Sequence, residues 1–158
     1  MRICHIDLDT TGLAAPTPEI EQERKVAIFD LLEENRFELP AREEKGLAEG
    51  PYRLTLSIKE KRLVFDVDAQ DGEDATEFHL SLSPFRQVVK DYWQICESYF
   101  SAVKKLPASQ IEAIDMARRG IHNEGARVVQ ERLEGKADID TDTARRLFTL
   151  ICVLHFGG

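Results

Sequence analysis

The hydrophobic period of this chain changes once, at Ser83-Pro84, and that change limits its folds more than any motif does. Before it, YRLTLSIKE, KRLVFDVDA and TEFHLSLS (residues 52–83) alternate apolar with polar side chains, the period of two that buries one face of a strand. They are joined by a charged turn and by the acidic QDGEDA, so they read as an antiparallel meander. After it, Phe85, Val88, Val89, Tyr92, Cys96, Tyr99, Phe100 and Val103 recur at i, i+3, i+4 and i+7, an unbroken helical stripe. Two more helical regions follow, Ser109 to about Leu133 and Thr143 to Phe156. Strands first and helices afterwards predict an α+β fold: a mainly antiparallel, three- to four-stranded sheet with helices packed on one face, and a helical C-terminal half. Trp93 lies beside the stripe, which predicts a partly exposed ring or one held at a contact.

Ahead of the meander, RICHIDLD alternates as a strand. APTPEIEQERKVAIFDLLEEN then places Ile20, Val26 or Ala27, Leu31 and Leu32 at helical spacing behind Thr17-Pro18, a cap followed by proline in the first turn. With 158 residues, 42% of them apolar, the chain is expected to form a single domain over 1–158: strand and helix over 1–39, a surface loop over 40–51, the meander over 52–82 and the helical region over 84–156.

Charge is uneven. Residues 1–80 hold 19 acids and 10 bases, the remainder 10 acids and 11 bases, within a net charge of −8. An acidic field repels nucleic acid, so nucleic acid is an unlikely partner on this reading. The longest uncharged apolar run, LFTLICVLHF, is about half of the ~20 residues a membrane span needs, and the N-terminus opens directly on a strand. No membrane partner and no export signal are expected. Cys4, Cys96 and Cys152 stand far apart without a C-x-x-C, which favours a reducing compartment and hence a cytoplasmic location.

HLSLSPFRQVVKDYWQICESYF, IEAIDMARRGIHNEG and DTARRLFTLICVLHFGG, with RICHIDLD at the start, resemble an uncharacterised protein family of alphaproteobacteria carried under the UPF label as number two-six-two. The resemblance covers nearly the whole chain. It implies a small cytoplasmic bacterial protein and brings no activity or site residue with it.

Several stretches imitate known sites. Asp7, Asp9 and Thr11 repeat the D-x-D-x-T of haloacid-dehalogenase phosphatases, but neither a lysine nor a second acidic pair on later parallel strands follows, so local capping in a turn is expected. DIDTDT (residues 138–143) begins like an EF-hand loop. It puts Thr143 where glycine is required and Thr149 where the bidentate glutamate belongs, so Asp140, Thr141 or Asp142 is read as a helix N-cap. Cys4, His5, Cys152 and His155 fail as a zinc set because Cys4 and His5 point to opposite faces of a strand. Gly157-Gly158 reads as a helix C-cap rather than a carrier tail. No metal and no cofactor is expected.

One segment concentrates chemistry: RRGIHNEGAR, residues 118–127. In a continuous helix Ile111, Ile114, Ile121, Val128 and Val129 form an apolar stripe, with Arg118, Gly125 and Arg132 near its middle. Asp115, Arg118 and His122 are then spaced i, i+3 and i, i+4, close enough to touch. The expectation is a structural polar network of Asp115, Arg118, His122 and Arg132. Alternatively the helix breaks at Gly120 and restarts with Asn123 as its cap, since each glycine costs a helix about 1 kcal/mol and needs a reason. Arg118, Arg119, His122, Asn123, Gly125 and Arg127 would then surround an anion, although Glu124 would occupy the same end. The function remains unknown from sequence. The chain reads as a non-enzymatic cytoplasmic binding or interaction protein with an unknown protein partner. The alternative is an enzyme or ligand-binding protein for a phosphate-bearing or other anionic small molecule, using Arg118 to Arg127.

Overall fold

The two hydrophobic periods become two layers in a computed structural model of the chain, which describes residues 2–40 and 42–155. The sheet takes β1 (Ile3–Leu8), β3 (Tyr52–Lys59), β4 (Arg62–Ala69) and β5 (Asp74–Ser81) in the order β1-β3-β4-β5. β3, β4 and β5 form the expected antiparallel meander, with Leu54 opposite Val67 and Leu56 opposite Phe65 on its buried face. β1 pairs parallel to β3. The sheet is therefore mixed, because α1 (Pro18–Glu33) carries the chain back across before the meander begins. Thr17 caps α1 through its side chain, which accepts from the Ile20 amide at 3.2 Å.

α3 (Ser83–Lys105), α4 (Ala108–Leu133) and α5 (Thr141–His155) complete the helical layer. Phe85, Val88, Val89, Tyr92 and Cys96 enter one hydrophobic cluster with Leu54, Phe65 and Leu80 of the sheet and Leu147, Phe148 and Ile151 of α5. The end of the α3 stripe does not follow: Val103 is 53% exposed. Its neighbour Ala102, 2% exposed, is buried in its place, so the buried face of α3 shifts by one residue at this end. Trp93 is half-buried, and its indole N–H donates to the Cys152 carbonyl of α5 at 3.0 Å.

Three features lay outside the sequence pattern. Part of the expected loop 40–51 winds into a single helical turn, α2 (Arg42–Lys45). β2 (Phe37–Glu38) and β6 (Asp138–Ile139) pair antiparallel in a separate two-stranded ribbon, each too short to show a period. Asn35 pins the end of α1 to β1: its Oδ1 accepts from the Ile3 amide at 2.7 Å and its Nδ2 donates to the Ile3 and Leu31 carbonyls. The next residue, Arg36, donates its amide to Thr143 Oγ1 at 3.0 Å, which sets α1 against α5. Asp140 is the cap of α5, its carboxylate accepting from the Thr143 amide. Asp9 closes a turn by accepting from the Thr11 amide. Cys96 and Cys152 are buried free thiols and Cys4 is half-buried. Among the described residues no helix is long and apolar enough to cross a membrane. Gly157-Gly158 and Phe156 lie outside the described residues.

Candidate functional site

α4 is continuous from Ala108 to Leu133, so the helix neither breaks at Gly120 nor restarts at Asn123, and no free N–H groups open near Glu124. The two glycines have separate explanations. Gly120 is exposed with nothing within 4 Å of a would-be Cβ. Gly125 is buried, and a Cβ there would lie 2.4 Å from Phe148 Cζ. Gly125 is the point at which α4 and α5 approach closely, a contact between two helices that a sequence read one helix at a time does not contain.

The residues of RRGIHNEGAR part company around the helix. Arg118 is half-buried: it donates to Asp115 Oδ1 at 2.9 Å, reaches Glu23 Oε1 of α1 at 3.6 Å, and lies 4.4 Å over the Tyr99 ring. Arg119 is exposed and bridges to the other oxygen of Asp115 at 3.0 Å. His122 turns inward, Nε2 2.8 Å from Thr149 Oγ1, its ring stacked on Tyr92. Asn123 is exposed and accepts from Arg145 Nε at 2.8 Å. Arg127 is exposed and held by Glu124 and Glu131, away from the others. Arg132 does not face the core. It sits exposed in the last turn of α4, where Val129 and Leu133 take the apolar face and a cation complements the helix dipole.

What the structure assembles is a cleft of about 240 Å³ between α1, α4 and α5. Glu23, Val26, Ala27 and Asp30 form one wall, Arg118, Arg119 and His122 another, and Asp142, Arg145, Arg146 and Thr149 the third, with Tyr92 also lining it. Glu23, Asp30, Arg145, Arg146 and Thr149 are not marked as a site in the sequence because they come from two segments, α1 and α5, distant from each other and from α4. One signal was present: Arg145 and Arg146 are the only charged residues between Asp142 and His155, on a helix otherwise buried over Leu147 to Leu154.

The electrostatics follow from burial. His122 Nε2 and Thr149 Oγ1 share a hydrogen bond at 2.8 Å, and the Thr149 hydroxyl also reaches the Arg145 carbonyl at 3.3 Å. Burial, reinforced by the nearby guanidinium charges of Arg145, Arg118 and Arg146, pushes the His122 pKa down to about 4, against the Arg145 carbonyl. Burial also raises the Glu23 carboxyl above its ordinary value, opposed by Arg118 and by the Tyr92 hydroxyl 3.4 Å away. Arg146 donates Nη1 to the Asp142 carbonyl at 3.1 Å, while its Nε is buried without a partner among the described residues. No group of three or more His, Cys, Asp or Glu side chains that could hold a metal ion occurs among them either.

The fold and cleft define a small α+β protein with an arginine-lined hollow between three helices. The chain belongs to the uncharacterised protein family (UPF0262), whose sequence profile matches residues 1–157. It is 79% identical to a UPF0262 protein of Jannaschia sp. (strain CCS1) over 158 residues, all of this chain and 99% of that one. It is 76% identical to a UPF0262 protein of Ruegeria pomeroyi over 157 residues, 99% of this chain and 98% of the relative. No solved structure matches the chain. The family is one of bacterial proteins of unknown function, as the resemblance implied.

Proposed function

We propose that this protein binds a small molecule carrying an anionic group, a phosphate or a carboxylate, in the cleft between α1, α4 and α5. The observation that carries the reading is Arg146, a guanidinium lining the cleft with a buried Nε–H that lacks an acceptor. An unmade hydrogen bond of this kind costs about 1–3 kcal/mol, more for a charged group. A modest turn of the side chain would present its Nε and Nη2 edge to an anion and complete a two-pronged contact. Binding is favoured over catalysis by the commitments of the other groups: His122 is held neutral with Nε2 engaged, and Asp115 and Asp142 are spent on arginines.

Thermal unfolding tests this with phosphate, sulfate or acetate against chloride at equal ionic strength. At a hundredfold excess over Kd the wild type should gain about 2.7 kcal/mol, or roughly 5–10 °C for a chain of this size. Arg146→Gln should fold normally and lose the gain. Equal gains in both proteins, or none in the wild type, would refute the reading.

A further inference from the structure

The charges around the cleft divide into those the protein satisfies and a remainder it leaves open. Arg118 and Arg119 share Asp115, and Arg118 also reaches Glu23. Arg145 holds Asp142 at 3.0 Å. These two groups are each electrically neutral. The remainder is Arg146, whose side chain donates only to a backbone carbonyl, and Asp30 of α1, whose carboxylate has no partner among the described residues. The two line the same hollow, one from α5 and one from α1, without pairing with each other.

A simple anion satisfies only half of this remainder. On Arg146 it would neutralise one charge and leave Asp30 uncompensated. A molecule with a charge of each sign compensates both. The volume, about 240 Å³, lies just below the ~300–1,000 Å³ of pockets for drug-sized ligands, which restricts the occupant to a small metabolite. Val26 and Ala27, between Glu23 and Asp30 on α1, give an apolar strip for a short hydrocarbon segment.

On the reading of this cleft as a binding site, we infer that its ligand is a small zwitterion, an amino acid in the broad sense. Its carboxylate lies on Arg146 and its ammonium group on Asp30. Specificity then comes from the separation of the two charges, because both contacts must be made at once.

The test is calorimetric titration of the full chain with glycine, beta-alanine, gamma-aminobutyrate, delta-aminovalerate and epsilon-aminocaproate, each beside the straight-chain carboxylate of equal length. One amino acid should bind with a Kd about tenfold or more below that of its carboxylate partner, since the added contact is charge-assisted. Asp30→Asn should bring that amino acid to the level of the carboxylate and leave the carboxylate unweakened, whereas Arg146→Gln should abolish both. If carboxylates bind as well as amino acids and only Arg146→Gln matters, the zwitterion inference is overturned while the anion cleft stands. If nothing in either series binds the wild type, the zwitterion inference is overturned, and the anion cleft falls with it when phosphate and sulfate also leave the wild-type melting temperature unmoved.

Discussion

Replacing each glycine of α4 by alanine should move stability in opposite directions, although the two sit five residues apart in one helix. At Gly120 the methyl group meets nothing within 4 Å, so the helix gains only its propensity, about 1 kcal/mol. Gly120→Ala should therefore melt roughly 2–4 °C higher. At Gly125 the same gain is set against a Cβ 2.4 to 2.5 Å from three atoms of the Phe148 ring. That ring cannot swing into solvent, being fully buried and packed edge-on to Tyr92 at 5.6 Å and tilted against His122 at 5.9 Å. Overpacking of this kind costs about 1–3 kcal/mol and occasionally more. With a clash so deep the upper end applies, and after the propensity gain Gly125→Ala should lose about 2 kcal/mol, or roughly 4–8 °C. The displaced ring pushes on Tyr92 and His122, so the loss should extend to ligand binding in the cleft. Chemical denaturation of the two variants and of Gly125→Ala combined with Phe148→Leu reads all of this, with the double variant recovering part of the loss. A Gly125→Ala protein as stable as wild type would refute the account of why that glycine is there.

His122 is charged below about pH 6.5 in the unfolded chain but only below about 4 in the folded one. Between those values the unfolded state binds a proton that the folded state refuses, so stability is full above this window and falls through it as pH drops. The loss is on the order of 3 kcal/mol, and His122→Gln should flatten that part of the profile; an unchanged slope would exclude His122 as its source. Arg118→Ala leaves Glu23 and Asp115 facing each other without the guanidinium between them and should cost about 2 kcal/mol, discounted from a fully buried pair because the arginine side chain is 26% exposed; denaturant midpoints measure it. The turn between β3 and β4 places Glu60 at φ 52° and Lys61 at φ 63°, which asparagine and glycine adopt more readily, so Glu60→Asn with Lys61→Gly should raise the melting temperature by a few degrees. A decrease would show that one of the two side chains makes a stabilising contact.

Elements with a local cause were legible in the residues themselves. The alternation of YRLTLSIKE and KRLVFDVDA produced β3 and β4, the stripe from Phe85 to Cys96 produced the buried face of α3, and Thr17 and Asp140 capped their helices as their side chains dictate. Asp115, Arg118 and His122 could be placed on one side of α4 from spacing alone. Whatever depends on which segments meet came from packing. β1 could have paired either way, and its parallel seat beside β3 follows from how α1 returns the chain. The Gly125 gap exists only because Phe148 of α5 fills it. The cleft needs Asp30 from α1, Arg118 from α4 and Arg146 from α5, residues whose separation along the chain bears no relation to their distance in space. Local periodicity is a property of one segment and can be read there. A site between three helices is a property of their packing, which is set by the summed burial of many apolar contacts rather than by any residue that lines it.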